Sequence, residues 1–342
     1  MKIGVFGAGT WAMALARMLC NSGHEVTVWS AIQEELTILA ETRRHKNLPG
    51  AVLPEAIRYT AEMEEVCREK DILLCAVPSV YVRSTIRAAR PFVPDGQVIV
   101  DVAKGIEAET LFTLSEVIRD EIGRDGAHGG VRVVALSGPT HAEEVALDLP
   151  TTIVSACSDA ATAEKVQDVF MNTCMRVYTN TDVRGVELCG ALKNIIALAA
   201  GISAGLGYGD NTKAAIITRG LAEMERLGLA MGCREQTFSG LAGMGDLIVT
   251  ATSRHSRNNR CGELIGQGRS PQEAIREVGM VVEGVNALPA AMKLSEIYGV
   301  EMPITAMVQA IVSGKVPPSE AVGMLMGRRK KAEGNRPPFG NS

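Results

Sequence analysis

The most constraining feature of this chain is a glycine turn close to its start. The β-rich run 2–6 (Lys-Ile-Gly-Val-Phe) passes directly into Gly7-Ala-Gly-Thr-Trp-Ala12. Apolar residues then recur at Ala12, Leu15, Ala16 and Leu19, the spacing of one helix face, and Gly23 supplies a stop. Few folds are open to a strand that enters a helix through Gly-x-Gly-x-x-Ala. Gly7 permits the tight turn, Gly9 lets the backbone approach a pyrophosphate, and the small Ala12 lets helix and strand pack closely. The helix start offers free N–H groups and partial positive charge to phosphates. The turn predicts a dinucleotide site built on a first strand–helix–strand unit.

The first half repeats this alternation. Further strands are expected at 25–29, 71–77, 97–101, 131–136, 151–155 and 175–178, with helices between them, for example at 81–89 and 160–171. Strands alternating with helices imply right-handed crossovers and a mostly parallel sheet covered on both faces. From about Gly185 the pattern changes to helix signals alone, at 186–200, 213–227, 234–241, 262–268, 271–278, 285–298, 305–313 and 318–326. At about 150 residues per domain, 342 residues make about two. The expected fold class is therefore α/β: an N-terminal Rossmann-like, doubly wound, mostly parallel sheet (1–182), then an all-helical C-terminal domain (183–328). The last segment, 329–342, with Arg328-Arg-Lys-Lys331 and two prolines, reads as a solvated tail.

Composition narrows the function classes. The net charge of −4 gives no general attraction to nucleic acid or to an acidic membrane. Eight cysteines without a CxxC spacing, most within apolar runs, read as buried reduced thiols. The N-terminal apolar run gives way to glycines too soon for a signal-peptide core. The longest apolar stretch, 195–206, is broken by Gly201 and Gly205 and falls short of the about 20 residues of a membrane span. The expectation is a cytoplasmic protein without stable membrane insertion, and the apolar helices of the second half leave room for a homodimer.

Ligands of such sheets bind outside the carboxyl ends of the strands. Three polar clusters fall there: Pro78-Ser79, Lys104 beside Gly105, and Ser137-Gly-Pro-Thr140. Lys104 is read either as a surface lysine or as a ligand-facing one, and its place past a strand end favours the latter. The second strand ends Val28-Trp29-Ser30-Ala31, with neither an acid for a ribose 2′-OH nor an arginine for a 2′-phosphate. With Arg43, Arg44 and Lys46 following, the cofactor reading is NAD or NADP with a lean to NADP. Lys193 stands inside the apolar segment 188–200; it either snorkels to water or is buried with a pKa lowered toward the range useful for proton transfer. Gly240-Leu-Ala-Gly-Met-Gly-Asp246 carries one acid, and 252–260 holds three arginines among hydroxyls and amides. That segment suits a phosphate-bearing substrate or a solvated basic loop.

Taken in order, Gly7-Ala-Gly-Thr-Trp11, Asn47-Leu-Pro-Gly50, Lys104-Gly-Ile106, Ser137-Gly-Pro-Thr140, Leu192-Lys-Asn194, Gly209–Ala215, Gly240–Asp246 and Ser256-Arg-Asn258 resemble the bacterial NAD(P)-dependent glycerol-3-phosphate dehydrogenase family along nearly the whole chain. The resemblance implies reversible reduction of dihydroxyacetone phosphate to sn-glycerol 3-phosphate for glycerophospholipid synthesis. It implies that Lys193 is the acid/base residue and that Lys104, Gly138, Thr140, Asp246, Ser256, Arg257 and Asn258 line the substrate. It places Thr10, Trp11, Lys104, Ala142, Arg257, Val281 and Glu283 at the cofactor, with Gly7 and Gly9 from the turn. The family commonly has arginine where Ala31 stands, which leaves the cofactor preference open. Because a nicotinamide carries the redox step, no metal is required. Two other readings stand beside it: a non-catalytic NADPH-binding sensor, and a dehydrogenase of another small phosphorylated or carboxylated hydroxy compound.

Overall fold

The computed structural model describes residues 1–330 and 333. Its sheet has eight strands: β1 (Lys2–Phe6), β2 (Glu25–Trp29), β3 (Arg58–Thr60), β4 (Ile72–Cys75), β5 (Val98–Asp101), β6 (Arg132–Ser137), β7 (Thr151–Ala156) and β8 (Met175–Asn180). Their spatial order is β3-β2-β1-β4-β5-β6-β7-β8, parallel throughout except where β7 runs against β6. This is the mostly parallel, doubly wound sheet expected. β3 was not foreseen, because three residues are too few to show alternation. Aliphatic residues fill β4 and β5, as strands buried on both faces require. Ile3, Val5, Leu15, Leu19, Val166 and Phe170 build the core on one face, and Leu73, Ile86, Ile99, Val117 and Ile118 build it on the other.

The register positions the site. Phe6 of β1 pairs with Cys75 of β4, Cys75 with Asp101 of β5, and Asp101 with Ala135 of β6. The carboxyl ends of these four strands therefore share one edge of the sheet, and Gly7, Ser79, Lys104 and Gly138 follow them there.

After Asn180 no strand appears among the described residues; the remainder is helical. The 23-residue helix Val183–Gly205, capped by the Asp182 side chain at the Gly185 N–H, is its axis. Against it pack the helices Asp210–Ala230, Asp246–Thr252, Arg257–Gly266, Glu283–Ile297 and Pro303–Val312. It is longer than the apolar stretch read from the sequence, and by length and composition it is apolar enough to cross a bilayer. However, 89% of its most apolar window is buried within the protein, which is the behaviour of a core helix. Gly201 and Gly262 let it meet the Arg257–Gly266 helix backbone to backbone. A Cβ on Gly201 would lie 2.0 Å from the Asn259 carbonyl oxygen, and one on Gly262 would lie 2.1 Å from that of Leu198.

All eight cysteines are free thiols, six of them buried. Of the expected tail, Arg329, Lys330 and Glu333 are described and the rest lies outside the described residues.

Candidate active site

The site begins at the glycine turn. Gly7 adopts φ +106°, in the region favouring glycine, and its N–H donates to the Trp29 carbonyl at 2.8 Å. A Cβ there would meet the Ala76 carbonyl oxygen at 3.0 Å, whereas one on Gly9 would project into open space. Gly9 is the N-cap of the Thr10–Asn21 helix, which has no side-chain cap and no acid in its first turn. Its leading N–H groups therefore stay available to an anion. These features fit a dinucleotide pyrophosphate.

Thr10 and Trp11 open that helix. The Thr10 hydroxyl accepts from Asn47 Nδ2 at 3.2 Å, and the same amide lies 3.5 Å from Met280 Sδ. Trp11 is half-buried against the core below. Val281 follows Met280 directly. Glu283 begins the Glu283–Ile297 helix and accepts from the Ser79 N–H at 3.1 Å and the Ser79 hydroxyl at 2.6 Å. Asn47 thus links Thr10 to Met280, the residue before Val281, and Ser79 links its strand end to Glu283, both across the seam between sheet and helices. Ser79 lay in a polar cluster noted in the sequence, but its carboxylate partner shows only in the fold. Ala142 opens the short helix Ala142–Val145, which abuts the Thr10–Asn21 helix; Arg17 grips Asp148 just beyond with two 2.9 Å bonds.

Two ammonium groups and one carboxylate form the charged centre. Lys193 Nζ donates to Asp246 Oδ1 at 2.6 Å and to the Thr250 hydroxyl at 2.5 Å. Lys104 Nζ donates to Asp246 Oδ2 at 2.7 Å and to the Gly138 carbonyl at 3.1 Å, while the Thr140 hydroxyl donates to that carbonyl as well. Thr250 turns its own hydrogen to the Asp246 backbone carbonyl at 2.6 Å, so its lone pairs face Lys193. Lys193 is 4% exposed and Asp246 1%. Burial lowers the Lys193 pKa to about 7; Asp246 opposes that, and Lys104 adds to it. For Asp246 burial acts upward, but the two ammonium groups outweigh it and hold the carboxyl below its ordinary pKa. The cluster is an ionised carboxylate shared by two lysines, one of them poised to exchange a proton near neutrality.

The segment 252–260 is part turn, at 253–256, and part helix. Ser256 is the N-cap of the Arg257–Gly266 helix, its hydroxyl accepting from the Asn259 N–H at 3.2 Å. Asn258 donates to Asn194 Oδ1 at 2.9 Å and accepts from the Gly284 N–H at 2.8 Å, which ties the helix start to the residue after Lys193. The side-chain polar atoms of Ser256 and Asn258 are thus engaged within the protein. Arg257 is exposed and has no ion pair among the described residues. Thr250 and Asn194 were not picked out as site residues. Thr250 lies four residues after Asp246, a helical spacing visible only once 246–252 is known to be a helix.

Known proteins resemble this chain over nearly its whole length. The family model of the NAD-dependent glycerol-3-phosphate dehydrogenase N-terminus matches residues 2–163, and that of its C-terminus residues 182–323. The chain belongs to the NAD-dependent glycerol-3-phosphate dehydrogenase family. It is 66% identical over 332 residues to glycerol-3-phosphate dehydrogenase [NAD(P)+] 2 of Lactobacillus delbrueckii subsp. bulgaricus, covering 97% of this chain and 98% of that one. It is 51% identical over 333 residues to the glycerol-3-phosphate dehydrogenase [NAD(P)+] of Agathobacter rectalis, covering 97% of each. Among solved structures, the glycerol-3-phosphate dehydrogenase of Coxiella burnetii superposes with a TM-score of 0.90 at 34% identity, over 96% of this chain and 99% of that one. Both halves of the family pattern are therefore present in one chain, joined at the seam that holds the Lys193–Asp246–Lys104 cluster.

Proposed function

We propose that this chain catalyses the reversible NAD(P)-linked reduction of dihydroxyacetone phosphate to sn-glycerol 3-phosphate. The observation that carries the reading is the buried Lys193–Asp246–Lys104 cluster, held by the same seam that ties the helical half to the glycine turn. When bound, the nicotinamide supplies the hydride to the substrate C2 carbon in one direction and receives it in the other. Lys193 Nζ gives a proton to the ketone oxygen during reduction and takes one from the hydroxyl during oxidation. With a pKa of about 7 it is available in both forms near neutral pH. Asp246 and Thr250 take two of its ammonium hydrogens and leave the third for the substrate oxygen. Lys104, fixed by Gly138 and Asp246, sets positive charge beside the same oxygen.

Arg257, unpaired among the described residues at the positive end of its helix, is the cation assigned to the substrate phosphate. Ser256 and Asn258 hold that helix start against the residue after Lys193, so that phosphate binding positions the reacting carbon. We read the enzyme as cytoplasmic on its eight free thiols, most of them buried, which suit a reducing compartment.

The test is the variant Lys193→Ala. Dihydroxyacetone-phosphate-dependent oxidation of the reduced cofactor should fall about 10²–10⁴-fold, the contribution general acid–base help makes, with dinucleotide binding nearly unchanged. Undiminished turnover would remove Lys193 from its role. In the wild type, cofactor binding without oxidation would point to a sensor. Faster turnover of another hydroxy compound in a substrate panel would replace the substrate.

A further inference from the structure

The sequence ends β2 in Ser30-Ala31 and provides no acid there, but the fold brings one in. The Gly7 N–H bonds the Trp29 carbonyl at 2.8 Å, so Ser30 stands beside the turn that receives the pyrophosphate. The Ser30 hydroxyl is buried; it accepts from the Ile32 N–H at 3.1 Å and donates to Glu35 Oε2 at 3.2 Å. Glu35 lies in the first turn of the Gln33–Thr42 helix, where the helix dipole favours an anion. Its other oxygen, Oε1, has no hydrogen-bond partner among the described residues. A carboxylate at the end of the second strand is the group that accepts both hydroxyls of an adenosine ribose, and it repels a phosphate in place of the 2′-hydroxyl.

We propose that Glu35, steadied by Ser30, is the cofactor-selecting residue of this enzyme and makes it prefer NAD(H) to NADP(H). The proposal rests on the dinucleotide site of the preceding section and goes against the sequence's lean to NADP, which followed from the missing acid at the strand end and from Arg43, Arg44 and Lys46 downstream. The nearby cations do not offset the carboxylate. The Arg43 guanidinium is turned to the Leu53 carbonyl at 2.9 Å and lies 3.8 Å from Glu55. Burial and Lys46 lower the His45 pKa, against an upward pull from Glu35 itself. Arg44 and Lys46 are exposed, where solvent and salt screen their charge.

Dissociation constants for NADH and NADPH, read from nicotinamide fluorescence without substrate, test this. The wild type should bind NADH more tightly by about tenfold or more, the range of a hydrogen bond to a charged group. Glu35→Gln should bring the two constants close together, mainly by tightening NADPH. Glu35→Asp, which keeps the charge but shortens its reach, should weaken NADH while NADPH stays poor. Equal or tighter NADPH binding by the wild type would overturn the proposal, as would a Glu35→Gln ratio unchanged from wild type. If that variant does not fold, Ala31→Arg replaces it: an added cation beside Glu35 should shift the ratio toward NADPH, and an unmoved ratio would overturn the assignment. Failure to bind either dinucleotide would overturn both this proposal and the enzyme reading. NADH-selective binding without ketone-dependent oxidation would overturn the enzyme reading alone.

Discussion

At the scale of single residues, the chemistry depends on how one carboxylate divides its attraction between two ammonium groups. Lys193 pays for burial with a pKa near 7 and is kept from falling further by Asp246. Replacing Asp246 with Asn removes the favourable charge and leaves Lys104 as a neighbouring positive charge, so the Lys193 pKa drops below about 7. Ketone reduction uses the protonated lysine, which exists below that pKa. In Asp246→Asn the pH–rate profile for reduction should therefore move to lower pH, with kcat/KM at pH 7 reduced by about 10²-fold or more. Alcohol oxidation uses the neutral amine and should lose less at pH 9. A reduction profile that keeps its alkaline limb near pH 7 would show that the limb belongs to another group. Lys193 and Asp246 could be picked from the sequence because a charge in an apolar or glycine-rich run is conspicuous, and Lys104 because it follows a strand end. Thr250 could not, because a threonine among Leu247–Thr252 residues carries no such contrast. Glu35 was hidden for a different reason: it lies five residues beyond Ser30, and only the turn into the Gln33–Thr42 helix brings it back.

At the scale of elements, the contact between the Val183–Gly205 and Arg257–Gly266 helices governs how precisely the phosphate end of the site is held. The glycines that looked like interruptions of an apolar run are the points where the backbones touch. Because the helices meet so closely, Asn258 reaches Asn194, and Arg257 is fixed relative to Lys193. Gly262→Ala would set a methyl group 2.1 Å from the Leu198 carbonyl oxygen, and the helices must part to admit it. Overpacking of this kind costs about 1–3 kcal/mol, which urea unfolding would measure. The parting should also raise KM for the phosphorylated substrate more than it lowers kcat. A loss of stability with KM unchanged would separate helix packing from phosphate binding. Periodicity revealed most of these helices, but their starts were misplaced where polar caps and glycines dilute the pattern. The helix from Arg257 was expected only from Gly262, and the helix 246–252, which follows the glycine-rich run 240–246, was not foreseen. Every strand but the three-residue β3 was legible, since apolar runs between turn residues have few alternative fates.

At the scale of the molecule, the site belongs to neither half alone. Lys104 and Gly138 come from strand ends, while Lys193, Asp246 and Thr250 come from helices. Glu283 joins the halves through both polar hydrogens of Ser79, and Asn47 links Thr10 to Met280 on the same seam. A ligand bound across such a seam stabilises the folded state by mass action, about 2.7 kcal/mol at one hundred times its Kd. Glu283→Gln keeps the size of the side chain but exchanges two charge-assisted hydrogen bonds for weaker neutral ones. Glu283 is only half-buried, so the melting temperature of the free protein should change little. If the latch holds the cofactor edge in place, the variant should bind NADH about three- to tenfold more weakly, since a charge-assisted hydrogen bond exceeds a neutral one by about 1 kcal/mol. At one fixed NADH concentration it should then show a smaller rise in melting temperature than the wild type. Thermal melts with and without cofactor separate the two effects. An equal drop in both melts would make Glu283 a purely structural clamp, whereas loss confined to the cofactor-dependent rise would place it in the preorganisation of the site.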